Sequence, residues 1–483
     1  MSIQSFGLFV TRRIIYTVRI LFMIILFLII SNQGYGQFRT DIDKANLYNL
    51  GKKFYTETHY FPSLVKDSTE AMVFFRFSYD MITFEKYGLA SNVINKFFSI
   101  PKIEIEFKDK EGIIRNKEIW QDTIFVDNFE KTISGSDYIV GAISSRILTN
   151  NYDVDIRLTD KSNLTIKKVT HKDSLENFFS KPTIGKPVFV ELSDNDNQKF
   201  IPFILRNKIS FLSRNPLIII PVSFKNEFSK FNYSCKFIGQ NKKYEFKWKT
   251  DYNVNSVIVP AKNHRIKISD NNINLVELAF ESMEDRDTKN EVKSQGNFRE
   301  GDLNYGLINI NLPIDDLVPG EYELKVVEDK SNDTMKYSFE VLWEEMPVSL
   351  QKPKFALESM YYILKDDEYK KMQDAREDDY SFEIWKWWKK EDPTPATVYN
   401  ESMAEYFKRV DYALFNLKSM SEPNGVKSDR GKIYILYGPP SGNERRLSDN
   451  KAYEVWRYDH LKKMFIFETL SNDIYKLVEI KNY

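Results

Sequence analysis

The hydrophobic period of this chain changes once, at Trp343, and that change limits the folds open to it. Upstream, apolar residues recur at every second position, separated by polar turns; downstream, they recur with helical spacing. Lys102-Ile-Glu-Ile-Glu-Phe107 alternates and is followed by the turn Lys108-Asp-Lys-Glu-Gly112. Tyr152, Val154, Ile156 and Leu158 alternate with Asp153, Asp155, Arg157 and Thr159, which predicts a strand with one wet face. Met72–Tyr79 is a further strand, whereas the polar-aromatic stretch from Thr40 to Ser63 is expected to be partly helical. Short strands without long helical periods between them predict an antiparallel sandwich.

A second strand-rich block runs from about Lys186 to Trp343. Leu217–Val222 is continuously apolar, as a strand buried on both faces must be. Tyr244, Phe246 and Trp248 alternate with charged residues, and so predict a strand; Val276, Leu278 and Phe280 do the same, as do Ile308, Ile310 and Leu312. Leu317-Val-Pro-Gly320 turns into an alternating run to Val326, and Met335–Val341 alternates after Asp329-Lys-Ser-Asn-Asp333, a hairpin typical of the closing strands of immunoglobulin-like modules. Glu281–Glu300 is charged and poor in large apolar residues, so an exposed loop is expected there.

The N-terminus carries Arg12, Arg13 and Arg19, the apolar run Ile20–Ile30 and the small-residue exit Gly34-Tyr-Gly36, the pattern of a secretory signal peptide over residues 1–36. That run rises about 16 Å as a helix, half a bilayer's hydrocarbon, so no stable membrane span is expected after cleavage. No cysteine lies near the exit, so the exported chain is not expected to be a lipoprotein; a periplasmic or extracellular address follows. The expected domains are 37–180 and 181–345, each a β-sandwich, and 350–483, which is α+β. The fold class is thus mainly β with a C-terminal α+β domain. The lone Cys235 has no partner for an internal bridge, and its strand-like context predicts a core position. With 69 basic and 69 acidic residues the net charge is zero, which argues against nucleic acid as a partner.

After Pro347 and Pro353, helices are predicted over Phe355–Arg376 and Phe382–Trp388, then over a stripe of Met403, Tyr406, Phe407, Val410, Ala413, Leu414 and Leu417 with Asn400 as N-cap. Strands are predicted at Lys432–Tyr437, Tyr453–Tyr458, Met464–Glu468 and Ile474–Ile480. The order Trp388, Asp392-Pro-Thr-Pro395, Asn400-Glu401, Glu405-Tyr406, Arg409-Val410, Tyr412-Ala413, Asp429-Arg-Gly-Lys-Ile-Tyr-Ile-Leu-Tyr-Gly-Pro-Pro440 and Tyr453-Glu-Val-Trp456-Arg-Tyr458 resembles the GWxTD domain over about Trp385–Ile480. The naming motif reads Gly425-Val-Lys-Ser-Asp429 here, with Val426 in place of the family's Trp and Ser428 in place of its Thr. The resemblance implies a fold and an address in the envelope of outer-membrane-bearing bacteria, and no reaction.

Among candidates for chemistry, Glu401, Glu405 and Arg409 share a helical face, and with Asp429-Arg430 they are read either as a solvated ion-pair face or as a polar groove for a peptide or glycan. Ser428 is read as a turn cap in preference to a nucleophile with Asp429 and His460, since no Gly-x-Ser-x-Gly elbow surrounds it. Gly438-Pro439-Pro440-Ser-Gly442 lacks the Lys and the backbone donors of a phosphate loop and is read as a rigid turn. The four histidines are dispersed, which predicts surface positions and no metal site, and no cofactor is assigned. Trp385, Trp387 and Trp388 cannot all share one helix face, so part of this trio is expected in the core. The functional expectation is a non-catalytic envelope protein that binds a protein or glycan through its C-terminal domain; the alternative is an enzyme using carboxylates of the C-terminal groove on an envelope polymer.

Overall fold

The structure is a computed structural model that describes residues 53–483 except 64–67, 88–96, 174–177, 179–180, 194–197, 242–243, 283–302, 332, 449 and 471–472. The signal peptide, the Thr40–Lys52 part of the first polar-aromatic stretch and most of the charged 281–300 segment lie outside the described residues.

The alternation predicted from sequence is used on both sides of its strands. Strands Phe54–Pro62, Ser68–Ser78 and Tyr138–Leu148 form a three-stranded antiparallel sheet. One face of its central strand, with Val73, Phe75 and Phe77, packs on Ile103, Ile105 and Phe107 and on Val154, Ile156 and Leu158 of a four-stranded sheet. The other face, with Met72 and Phe74, packs on Val188, Val190, Leu217 and Ile219 of an eight-stranded sheet. That sheet turns Phe189 the opposite way, onto Phe339 of a five-stranded sheet, with ring centroids 5.1 Å apart. Successive residues of one strand therefore serve different cores, because side chains alternate across a sheet. Among the described residues, pairing is antiparallel apart from Lys208–Ser210, which runs parallel to Thr334–Leu342. A short α-helix upstream, α1 (Phe129–Thr132), is capped by Asn128.

Several expectations are corrected. The part of the Thr40–Ser63 stretch that is described is the strand Phe54–Pro62, whose residues alternate between two cores. Tyr244–Trp248 forms no strand; Phe246 and Trp248 are buried from an irregular segment that packs on Phe211 and Trp343. Asp155 does not face water. It is buried under Lys108 (2.6 Å), Lys168 (2.9 Å) and Thr170 (2.6 Å), and these partners outweigh its desolvation and hold its carboxyl well below the usual range. His59 is in the interior rather than on the surface, 3.2 Å from Glu57.

The C-terminal part begins with α2 (Pro353–Ser359), α3 (Asp366–Gln373) and α4 (Tyr380–Trp388). The long α5 (Glu401–Asn416) is capped as expected, the Asn400 side chain accepting from the Met403 N–H at 2.8 Å. Lys432–Tyr437, expected as a strand, belongs to the helix α6 (Asp429–Tyr437). Ile433 and Ile435 are both buried because α6 lies between α5 and the final sheet, so two apolar faces mimic a strand's alternation. A four-stranded antiparallel sheet closes the chain: Gly442–Ser448, Lys451–Tyr458, Lys463–Leu470 and Ile474–Asn482 in that order. Its first strand is polar and nearly all exposed, so no hydrophobic pattern announced it.

Candidate functional site

The Gly425–Gly431 segment forms a close junction between α5, α6 and the last sheet. A Cβ on Gly425 would lie 2.0 Å from the Ala413 carbonyl oxygen, and one on Gly431 would lie 1.9 Å from that of Gly425. Only hydrogen fits at either place. Between them, Val426 is 3% exposed, and its carbonyl accepts the Tyr362 hydroxyl at 2.9 Å. Ser428, 1% exposed, is the N-cap of α6: its Oγ donates to the Gly425 carbonyl at 2.7 Å and accepts the Gly431 N–H at 2.9 Å.

The two residues after Ser428 tie α6 to the sheet. Asp429 Oδ2 accepts the Leu477 N–H of the last strand at 2.8 Å. Arg430 donates from Nη1 to Glu454 Oε2 at 3.0 Å and lays its guanidinium 3.5 Å from the Tyr475 ring centroid. Glu454, 4% exposed, also accepts from Trp456 Nε1 at 2.6 Å and Asn443 Nδ2 at 3.1 Å. A buried carboxylate with three donors, one of them a cation, is a satisfied structural group.

Glu405 and Arg409, on α5, lie by the other end of α6. They pair at 2.7 Å, and the Arg409 guanidinium lies against Gly438, whose φ of 77° ends the helix. The Gly438 carbonyl accepts the Tyr458 hydroxyl at 2.8 Å, and its N–H donates to Tyr434 at 2.7 Å. Pro439 is exposed and Pro440 half-buried, while the Ser441 N–H donates to Arg457, so these amides point into the protein rather than toward an anion. Glu401 accepts the Thr394 hydroxyl at 2.5 Å. With α6 nine residues long, about 13 Å of helix separates Ser428-Asp429-Arg430 from Gly438 and Arg409. The predicted polar set thus splits into two clusters and does not line one groove.

The remaining candidates are also placed. His460 is exposed beside the Tyr458 ring, and the Ser428 hydroxyl is engaged inside the junction. Trp388 is core, packed on Tyr406 and Phe407, while Trp385 and Trp387 are half-buried. Among the described residues no group of three or more His, Cys, Asp or Glu side chains could hold a metal ion. Cys235 is fully buried and burial pushes its thiol up to about 12, so it is unreactive.

Two acidic residues that no motif marks join the C-terminal helices to the β layers. Glu344 gathers Arg76 (3.0 Å), Lys53 (3.4 Å) and the Tyr138 hydroxyl (2.9 Å) from the first sheet. Asp411 on α5 accepts the N–H groups of Val348 (2.7 Å) and Ser349 (2.8 Å), and burial lifts its carboxyl to about 6 against those bonds. Their partners are remote in sequence, so local spacing carried no signal.

The family model of the GWxTD domain matches residues 323–483. That is longer than the resemblance read from Trp385 onward: it begins inside the strand Gly320–Glu328, so the matched region includes a hairpin of the five-stranded sheet. No curated protein matches the chain.

Proposed function

We propose that this is an exported, non-catalytic protein of the cell envelope, in which two immunoglobulin-like β-sandwich modules carry a GWxTD domain that binds a protein or glycan partner. The observation that carries this reading is the employment of the motif's own polar groups. Ser428 caps a helix, Asp429 holds a strand amide, and Arg430 is paired with Glu454, so each is engaged within the protein. A catalytic acid or nucleophile needs a reacting atom within about 3 Å of its polar atom, and these atoms face protein instead. The signal-like N-terminus supports export, with a mature chain starting near Gln37.

Proximity labelling with the full chain in its native cell tests address and partner together. Envelope proteins or glycans are expected among the neighbours, and a purely cytoplasmic set would overturn the reading. Turnover of peptidoglycan or another envelope glycan that vanishes in Asp429→Ala, with the fold retained, would replace it with a catalytic one.

A further inference from the structure

The closing sheet treats its two edges differently. On the Ile474–Asn482 side, Asp429 takes the Leu477 N–H and α6 lies alongside, so part of the outer edge is held by the chain itself. On the other side, Gly442–Ser448 pairs, among the described residues, only with Lys451–Tyr458. Every residue of that strand from Asn443 to Ser448 is exposed, and Leu447 is 85% exposed. An open edge strand is a template for another strand.

Its side chains specify which strand. Glu444 and Arg446 stand on one face, two residues apart, and form an ion pair within the strand. Antiparallel pairing of two copies about a two-fold axis through Arg445 sets Glu444 of each copy opposite Arg446 of the other. Each within-strand pair then becomes part of a four-charge square. The same axis sets Asn443 opposite Leu447 and Gly442 opposite Ser448. Parallel pairing in register would oppose Glu444 to Glu444 and Arg446 to Arg446, and is disfavoured. The two-fold arrangement leaves a single like-charge contact, Arg445 to Arg445 at the axis on the other face, against two opposite-charge pairs, whereas parallel pairing would oppose like charges at Glu444, Arg445 and Arg446 alike. We infer that the Gly442–Ser448 edge is a homodimerisation surface, through which two copies of this chain join their closing sheets into one continuous antiparallel sheet. A closed two-fold contact of this kind buries both free edges at once.

Sedimentation equilibrium of the full chain tests this by charge reversal. Glu444→Arg and Arg446→Glu each convert two attractive cross-strand pairs into repulsive ones and are expected to weaken the dimer about tenfold or more. The double variant Glu444→Arg/Arg446→Glu restores opposite charges and is expected to restore the dimer. A native chain that stays monomeric to roughly 100 µM would overturn the inference. So would single variants that dimerise like the native chain. Arg445→Cys supplies a second readout, since paired Cα atoms about 4.5–5.5 Å apart suit a disulfide. A disulfide-linked dimer is expected from it and not from Val478→Cys on the opposite edge, and the reverse result would place the contact elsewhere. Cys235 is buried and does not compete, and circular dichroism verifies that each exposed substitution leaves the fold intact.

Discussion

The β layers and the Gly425–Gly431 junction reach close packing by opposite means. In the layers, strands present large apolar residues on both faces, and the middle sheet is filled by Phe74 on one side and Phe75 on the other. In the junction, backbones approach because Gly425 and Gly431 have no side chain, and polar groups satisfy one another in the space left. The layers are stabilised by area removed from water; the junction depends on fit and on the hydrogen bonds made by Ser428, Asp429 and Arg430. A volume loss should therefore damage the first and a volume gain the second.

Five measurements break or sharpen that contrast. Phe75→Ala, which empties a site packed on Trp120, is expected to cost about 3–5 kcal/mol in denaturant unfolding. Gly431→Ala is expected to cost about 2–3 kcal/mol, although Gly to Ala inside a helix ordinarily stabilises, because the new Cβ meets the Gly425 carbonyl; a stabilised variant would refute the close approach. Asp411 should give the joint a pH dependence on the order of 1 kcal/mol or more. Its folded pKa of about 6 exceeds the ordinary 3.8, so its contribution is fully present below the ordinary value and is lost as pH rises through 6. The thermal midpoint should accordingly rise between pH 7 and pH 5, and Asp411→Asn should flatten that slope. Ser428→Ala, which removes the cap of α6, is expected to cost about 1 kcal/mol in denaturant unfolding. Glu405→Ala, whose side chain is 54% exposed, should change stability by less than about 0.5 kcal/mol.

Legibility from sequence followed the same division. The strands at Ile103–Phe107, Leu217–Val222 and Met335–Val341 were readable because apolar alternation is local, and so was the Asn400 cap of α5. Alternation failed at Lys432–Tyr437, where a helix buried on two sides carries a strand-like pattern, and at Tyr244–Trp248, where aromatic residues are buried from irregular chain. It also misjudged Asp155, since the charge sign of a strand face says nothing about the lysines that roof it. Glu401, Glu405 and Arg409 do lie on one helix, α5. The separation of Arg409 from Asp429 by the length of α6 was invisible, because an assumed strand gave no means of locating its two ends.

Local pattern alone determined a β-rich chain that turns helical after Trp343, with capped helices and a Gly-x-x-Ser-Asp segment before the last strands. Tertiary structure decided that this segment is a junction, that successive residues of one strand serve different cores, and that one edge of the closing sheet is held by Asp429 while the other is open. The physical reason is reach. Periodicity and capping act over a few residues, whereas Glu454, Leu477, Val348 and Arg76 meet their partners across tens to hundreds of positions, and only the folded chain brings them within hydrogen-bond distance.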